Sequence, residues 1–203
     1  MLITSAEPSG DPEEPLERAL EGGSFDLLLR EPLTPDADLV RLARRLRPLL
    51  AARGGRLLIH GRPEVALEVG ADGLHLPETA PATEEIRRII GSGMLLGRSC
   101  HAVASACRHL LTGGDYVTLS PLFFTRSHPE ATPLGSERFA RMRAAIPGPV
   151  LALGGIGPEN VAEAMGTGAS GVALIRGVRN APDPAAAVRT LLTQIRENRI
   201  SSS

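Results

Sequence analysis

At 203 residues, 42% of them hydrophobic, with a formal net charge of -1, the chain has the balance of one soluble domain with a real core. A basic nucleic-acid binder and an acidic disordered chain are both excluded. Aromatics make up 2%, with no Trp and one Tyr, too few rings for a base-stacking platform, and all 22 basic residues are Arg, which removes imine chemistry on lysine and any Walker-type phosphate loop.

The start, "MLITSAEPSGDPEEP", lacks the basic-then-apolar order of a signal peptide, and no apolar run approaches the ~18 residues that span a membrane, so a cytoplasmic protein with no membrane partner is expected. "LITS" (2–5) is the first candidate strand and "FDLLLR" (25–30) the second. "ADLVRLARRLRPLLAAR" (37–53) follows as an amphipathic helix, with Leu39, Leu42, Leu46 and Leu50 every three to four residues. Strands are then predicted at "RLLIH" (56–60) and "DGLHL" (72–76), a helix at "ATEEIRRII" (82–90), a strand at "MLLGRSC" (94–100) and a helix at "AVASACRHLL" (102–111). "YVTLS" (116–120), "PVLALGG" (149–155) and "GVALIR" (171–176) complete eight strands, separated by helical segments at 136–146 and 158–166. The last helix, 183–198, opens with Asp183 as N-cap and Pro184 at the first helical position.

This alternation predicts an α/β protein, a single (β/α)8 TIM barrel over residues 1–203, with 200–203 as a disordered tail. Cys100 and Cys107 match neither a metal motif nor an obvious disulfide and read as small buried apolar side chains. Exposed apolar helix positions are compatible with a homodimer.

In such barrels the chemistry sits at the strand ends. Here they carry Arg30, His60-Gly61-Arg62, His75 with Glu78, Arg98-Ser99-Cys100-His101, the polar loop "SPLFFTRSHPEATPLG" (120–135), Gly154-Gly155 and Arg176-Gly177. Four of the five histidines fall on this rim. His75 reads equally as a satisfied core residue, and His109 as a solvated side chain on a helix surface. The glycine-bearing ends of the last two strands suit a phosphate cradle, since glycine lets backbone N–H groups approach an anion. Gly154, Gly155, Ile175, Arg176 and Gly177 are its candidates, with Arg176 able to add a bidentate contact.

"LLIHGRPEVAL", "GADGLHLPE", "LLGRSCH", "GGDYVTLSPLFFTRSHPEATPLG" and "LALGGIGPENVAEAMGTGASGVALIRGV" together resemble the thiamine phosphate synthase/TenI superfamily over nearly the whole chain. The resemblance implies a phosphorylated thiazole-type substrate, with Ser120, Thr125 and Ser127 contacting it. It also implies two branches. The synthase couples a pyrimidine diphosphate to thiazole phosphate with Mg²⁺. Leu28 and Pro32, His60-Gly61, Thr79-Ala80 and His128 stand where resembling synthases carry Gln and Lys, Asn-Asp, an acidic residue and Lys. On those substitutions the expectation is the other branch, a TenI-like thiazole tautomerase: an isomerase that needs no cofactor and moves a proton with histidine. Pro121 occupies the position of that branch's histidine, so His128 is the candidate acid/base, assisted by His60 or His101, with Arg62 or Arg98 for the substrate carboxylate. The alternatives are the Mg²⁺-dependent synthase and a non-catalytic phosphate-ligand binder.

Overall fold

All eight apolar runs become parallel strands: β1 Leu2–Ile3, β2 Leu27–Leu29, β3 Leu57–His60, β4 Gly73–Leu76, β5 Leu95–Cys100, β6 Tyr116–Leu119, β7 Val150–Leu153 and β8 Gly171–Ala173. The structure is a computed structural model and describes residues 1–4, 13–126, 129–179 and 181–201. Strands pair in chain order from β1 to β8, and Leu2 bridges Leu174 just beyond β8, where the Ile3 N–H donates to the Leu174 carbonyl at 2.7 Å. The sheet thereby closes into the (β/α)8 barrel that the alternation predicts.

Nine helices occur among the described residues: α1 Glu13–Leu20, α2 Asp36–Ala51, α3 Pro63–Glu68, α4 Thr83–Ile90, α5 Val103–Leu111, α6 Gly135–Ala144, α7 Val161–Gly166, α8 Arg176–Arg179 and α9 Pro184–Ser201. The sequence reading assigns no helix at α1, α3 or α8, of which α8, at four residues, is too short to repeat an apolar face. The Asp183 carboxylate caps α9 as expected, accepting from the Ala186 N–H at 2.9 Å. That helix reaches Ser201, into the tail expected at 200–203, and residues 202–203 lie outside the described set. No helix among the described residues is long and apolar enough to cross a membrane.

Alternation along the strands sorts side chains into two layers. One set, including Leu27, Leu29, Leu57, Ile59, Leu74, Leu76 and Leu96, packs outward with helix residues such as Leu39, Leu46, Leu50 and Ile86. The opposite side has a sparser apolar cluster of Ile3, Leu28, Leu58, Tyr116 and Ala173. Polar residues His60, His75, Ser99 and Thr118 occupy the same interior, nearer the strand C-termini.

The turns that lead into the even-numbered strands reuse one device. Asp72, before β4, accepts from the Leu57 N–H at 2.9 Å; Asp115, before β6, from the Leu96 N–H at 2.7 Å; Ser170, before β8, from the Val150 N–H at 3.2 Å. Asp26, before β2, takes the Arg56 N–H at 3.1 Å. Each side chain thus meets a backbone donor at the start of a neighbouring strand, a group that costs ~1–3 kcal/mol if buried unpaired.

One reading of the sequence needs correction. His109 is 1% exposed, not solvated: its Nδ1 lies 2.8 Å from Thr83 Oγ1 and its Nε2 3.2 Å from the Leu96 carbonyl. The ring fills a notch left by Gly114, where an added Cβ would lie 2.2 Å from His109 Nε2. Cys100 is buried as expected, and Cys107 is half-buried with its thiol donating to the Ala145 carbonyl at 3.5 Å.

Candidate active site

At the C-terminal ends of β7 and β8 lies a cavity of about 330 Å³ whose walls include Thr125, Gly154, Gly155, Ile175 and Gly177. Gly154 and Gly155 hold φ of 105° and 64°, conformations that side chains rarely adopt. Their neighbours enforce the choice: a Cβ on Gly154 would sit 2.8 Å from Pro121 Cα, one on Gly155 2.2 Å from the Phe124 carbonyl oxygen, and one on Gly177 2.9 Å from the Ile156 oxygen. Glycine backbone therefore forms part of this wall, the part an anion could approach closely, beside side chains that include Phe124, Leu153, Ile156 and Glu159. Asn160, which sequence reasoning passes over, braces the turn by accepting from the Gly157 N–H at 2.9 Å and donating to the Gly155 carbonyl at 2.8 Å. Its signal was the Asn just ahead of a helix in "GPEN", a position where side-chain amides commonly bond the backbone.

The polar loop reaches the cradle because its two ends are tied down. Leu122 and Phe123 N–H groups donate to the Leu153 and Gly154 carbonyls at 2.8 and 3.0 Å, and Leu134 and Gly135 donate back to Pro121 and Leu122. Thr125 is thereby held in the cavity wall. Ser127, His128 and the Arg176 side chain lie outside the described residues, so their candidate roles stay as expectations.

On the opposite side of the mouth, His60 and His75 stand side by side on β3 and β4 with ring centroids 6.0 Å apart. Burial, helped by the Arg30 and Arg62 charges, lowers the His60 pKa to about 4, and burial lowers that of His75 to about 3. Both are neutral near pH 7 and weak as bases. His75 turns out to be a satisfied core residue, 2% exposed, with Nδ1 3.0 Å from the Tyr116 hydroxyl and Nε2 3.0 Å from Ser99 Oγ.

His101 is exposed at the end of β5. Its Nδ1 lies 2.8 Å from the Ser120 carbonyl, an acceptor only, so Nδ1 carries the proton and Nε2 faces Glu78 Oε2 at 3.8 Å. Glu78 Oε1 accepts from the His101 N–H and the Ser105 hydroxyl, both at 3.3 Å.

The two arginines expected at the substrate carboxylate face elsewhere. Arg62 donates to the Thr34, Glu31 and Pro32 carbonyls and to Asp36 Oδ1, all within 3.1 Å. Arg98, 8% exposed, donates to the Glu78, Ala80 and Pro81 carbonyls. Each braces the loop after a neighbouring strand. Arg30 is half-buried at the end of β2, where its N–H donates to Thr4 Oγ1 at 2.8 Å.

A magnesium ion takes six oxygens in near-octahedral geometry, commonly one or two carboxylates plus phosphates and water. Among the described residues no three His, Cys, Asp or Glu side chains converge, and Glu78 already spends one oxygen on two donors. An all-protein cage is thus absent among the described residues, and a magnesium ion would be held by one or two carboxylates together with substrate phosphates and water.

The sequence matches the family described as thiamine monophosphate synthase over residues 1–178. It is 41% identical over 174 residues to a thiamine-phosphate synthase of Roseiflexus sp. (85% of this chain, 74% of that one), and 39% identical over 178 residues to one of Methanoculleus marisnigri (87% and 84%). Among solved structures it resembles the thiamine phosphate pyrophosphorylase of Pyrococcus furiosus, with a TM-score of 0.86 and 28% identity over 97% of this chain and 95% of that one. These likenesses overturn the tautomerase expected from the strand-end substitutions, since these relatives are named thiamine-phosphate synthases. Of the imidazoles expected to move the proton, His60 is half-buried with its pKa lowered to about 4, which makes it a weak base near pH 7, His101 is exposed, and His128 lies outside the described residues.

Proposed function

Since the chain belongs to the thiamine monophosphate synthase family, we propose that it is a transferase of thiamine biosynthesis that couples a pyrimidine diphosphate to a thiazole phosphate and releases diphosphate. The reading is carried by the β7/β8 cavity, walled in part by glycine backbone and closed on one side by the Thr125 loop, which suits a phosphate monoester. One bond forms, between the thiazole ring nitrogen and the pyrimidine methylene carbon, and one breaks, between that carbon and the diphosphate oxygen. The thiazole nitrogen bears no proton, so the step needs no base. What it needs is orientation of two substrates and stabilisation of the leaving diphosphate.

The chain's own groups divide that work. The glycine cradle fixes the thiazole by its phosphate, with Thr125 as a side-chain contact. Arg30 supplies fixed positive charge across the mouth, beside a His60 that stays neutral and so adds no charge of its own.

Purified protein incubated with the pyrimidine diphosphate, thiazole phosphate and Mg²⁺ should form thiamine phosphate, detected as its fluorescent oxidation product. No product, under conditions where an authentic synthase turns over, would remove the reading. Arg30→Gln should lower kcat/KM by roughly 10²–10³, the usual loss on removing one preorganised donor at developing negative charge.

A further inference from the structure

Beneath the mouth, a line of polar side chains runs through the otherwise apolar barrel interior. Tyr116 lies at its lower end, 8% exposed. Its ring crosses to β5 over Gly97, where an added Cβ would lie 2.1 Å from Tyr116 Cζ, so the glycine is the space that the phenol fills. The Tyr116 hydroxyl meets His75 Nδ1 at 3.0 Å, His75 Nε2 meets Ser99 Oγ at 3.0 Å, and Thr118 Oγ1 approaches Ser99 Oγ at 3.5 Å. Ser99 pairs with Thr118 two residues further along the strands than the Gly97–Tyr116 pair, so it is the link nearest the mouth, and it is half-buried.

A neutral imidazole has one donor and one acceptor nitrogen, so the line has two proton orders. If Nδ1 carried the proton it would donate to the phenol oxygen, leaving the phenol O–H without an acceptor, since His75 is its hydrogen-bond partner among the described residues. A buried unpaired donor of that kind is expensive. In the opposite order Tyr116 donates to Nδ1, Nε2–H donates to Ser99, and Thr118 donates to Ser99 as well. Ser99 Oγ then accepts twice and must point its own proton elsewhere. The unpaired donor is moved from the sealed interior to the one half-buried hydroxyl, where a ligand or water can meet it.

We propose that Tyr116 and His75 are positioning residues that fix the Ser99 hydroxyl as a hydrogen-bond donor to ligand at the barrel mouth. The inference deepens the transferase reading and rests on it for the identity of the ligand; the proton order does not.

The test is the ¹⁵N spectrum of the His75 ring in the full protein at pH 7, with its signals assigned by their loss in His75→Gln. We expect Nδ1 unprotonated and Nε2 protonated, with both signals displaced in Tyr116→Phe, which keeps the ring over Gly97 and removes only the donor. A proton on Nδ1 in the unaltered protein overturns the proposal, whether or not the variants fold. In the thiamine phosphate assay Tyr116→Phe and Ser99→Ala should each lose about tenfold in kcat/KM, the double variant losing no more than Ser99→Ala alone; an unchanged kcat/KM in Tyr116→Phe overturns the positioning role. If the unaltered protein forms no thiamine phosphate, the transferase reading falls, and the nitrogen spectrum still decides the proton order.

Discussion

Gly155 carries two constraints at once, a φ of 64° and a carbonyl oxygen of Phe124 only 2.2 Å from where its Cβ would be. The left-handed conformation alone costs a non-glycine residue ~1–2 kcal/mol. The clash is worse, because the obstructing atom is backbone and cannot swing away. Gly155→Ala should therefore push the Phe124 segment off the cradle while leaving the barrel folded: binding of thiazole phosphate, followed by calorimetry, falls at least tenfold, with a melting temperature near that of the unaltered protein. Retained affinity would show that the cavity wall is not where the phosphate sits. The Gly-Gly pair is visible in the sequence at the end of the seventh strand, where a tight turn alone would account for it, and only its pairing with the glycine-bearing end of the eighth strand points to a cradle. Arg62 and Arg98 gave no comparable sign. Their partners are main-chain carbonyls of residues 31–34 and 78–81, and a carbonyl has no sequence signature.

All eight strands were found, since each is a short apolar run, although several runs, such as 25–30, 149–155 and 171–176, extend up to three residues beyond the strand they contain. The turns that organise them were less visible, although the Asp or Ser of "GADG", "GGDY" and "GASG" all serve the same purpose. Asp115 is the clearest case for measurement. Its Oδ2 accepts from the buried Leu96 N–H at 2.7 Å and pairs with Arg87 at 2.6 Å. The ion pair, with Asp115 43% exposed, is worth at most ~1 kcal/mol, whereas orphaning a buried backbone donor costs ~1–3 kcal/mol. The backbone bond should dominate. Asp115→Ala is expected to lose ~1–3 kcal/mol in urea unfolding, and Asp115→Asn, which keeps an acceptor oxygen, to recover most of it. An Asn variant as unstable as the Ala variant would assign the effect to the charge instead. Helix α5 shows the limit of the periodicity argument: Ala106 and His109 share its buried face, and reading that face required the Gly114 notch that admits an imidazole.

Acid should probe the molecule as a whole, through three imidazoles held neutral inside it. Burial leads in lowering the pKa of His75 to about 3 and those of His60 and His109 to about 4, against 6.5 for an unfolded histidine. Below pH 6.5 the unfolded chain therefore binds protons that the folded chain refuses, so stability is fully present above that pH and is lost as pH falls toward about 4. Each fully buried imidazole contributes a slope approaching ~1.4 kcal/mol per pH unit across that window. His75 and His109, at 2% and 1% exposed, carry the effect in full, and the half-buried His60 carries less. Carboxylates in ion pairs add their own acid sensitivity, but chiefly below pH 5, so the interval from pH 6.5 to 5 belongs to the histidines. Urea midpoints measured from pH 8 to 5 should be level above pH 7 and then decline. His109→Gln, whose amide can still reach Thr83, should flatten that decline by about one proton's worth whatever it does to stability at pH 8. An unaltered slope in the variant would mean that His109 titrates normally, and hence that water reaches the notch between α5 and β5.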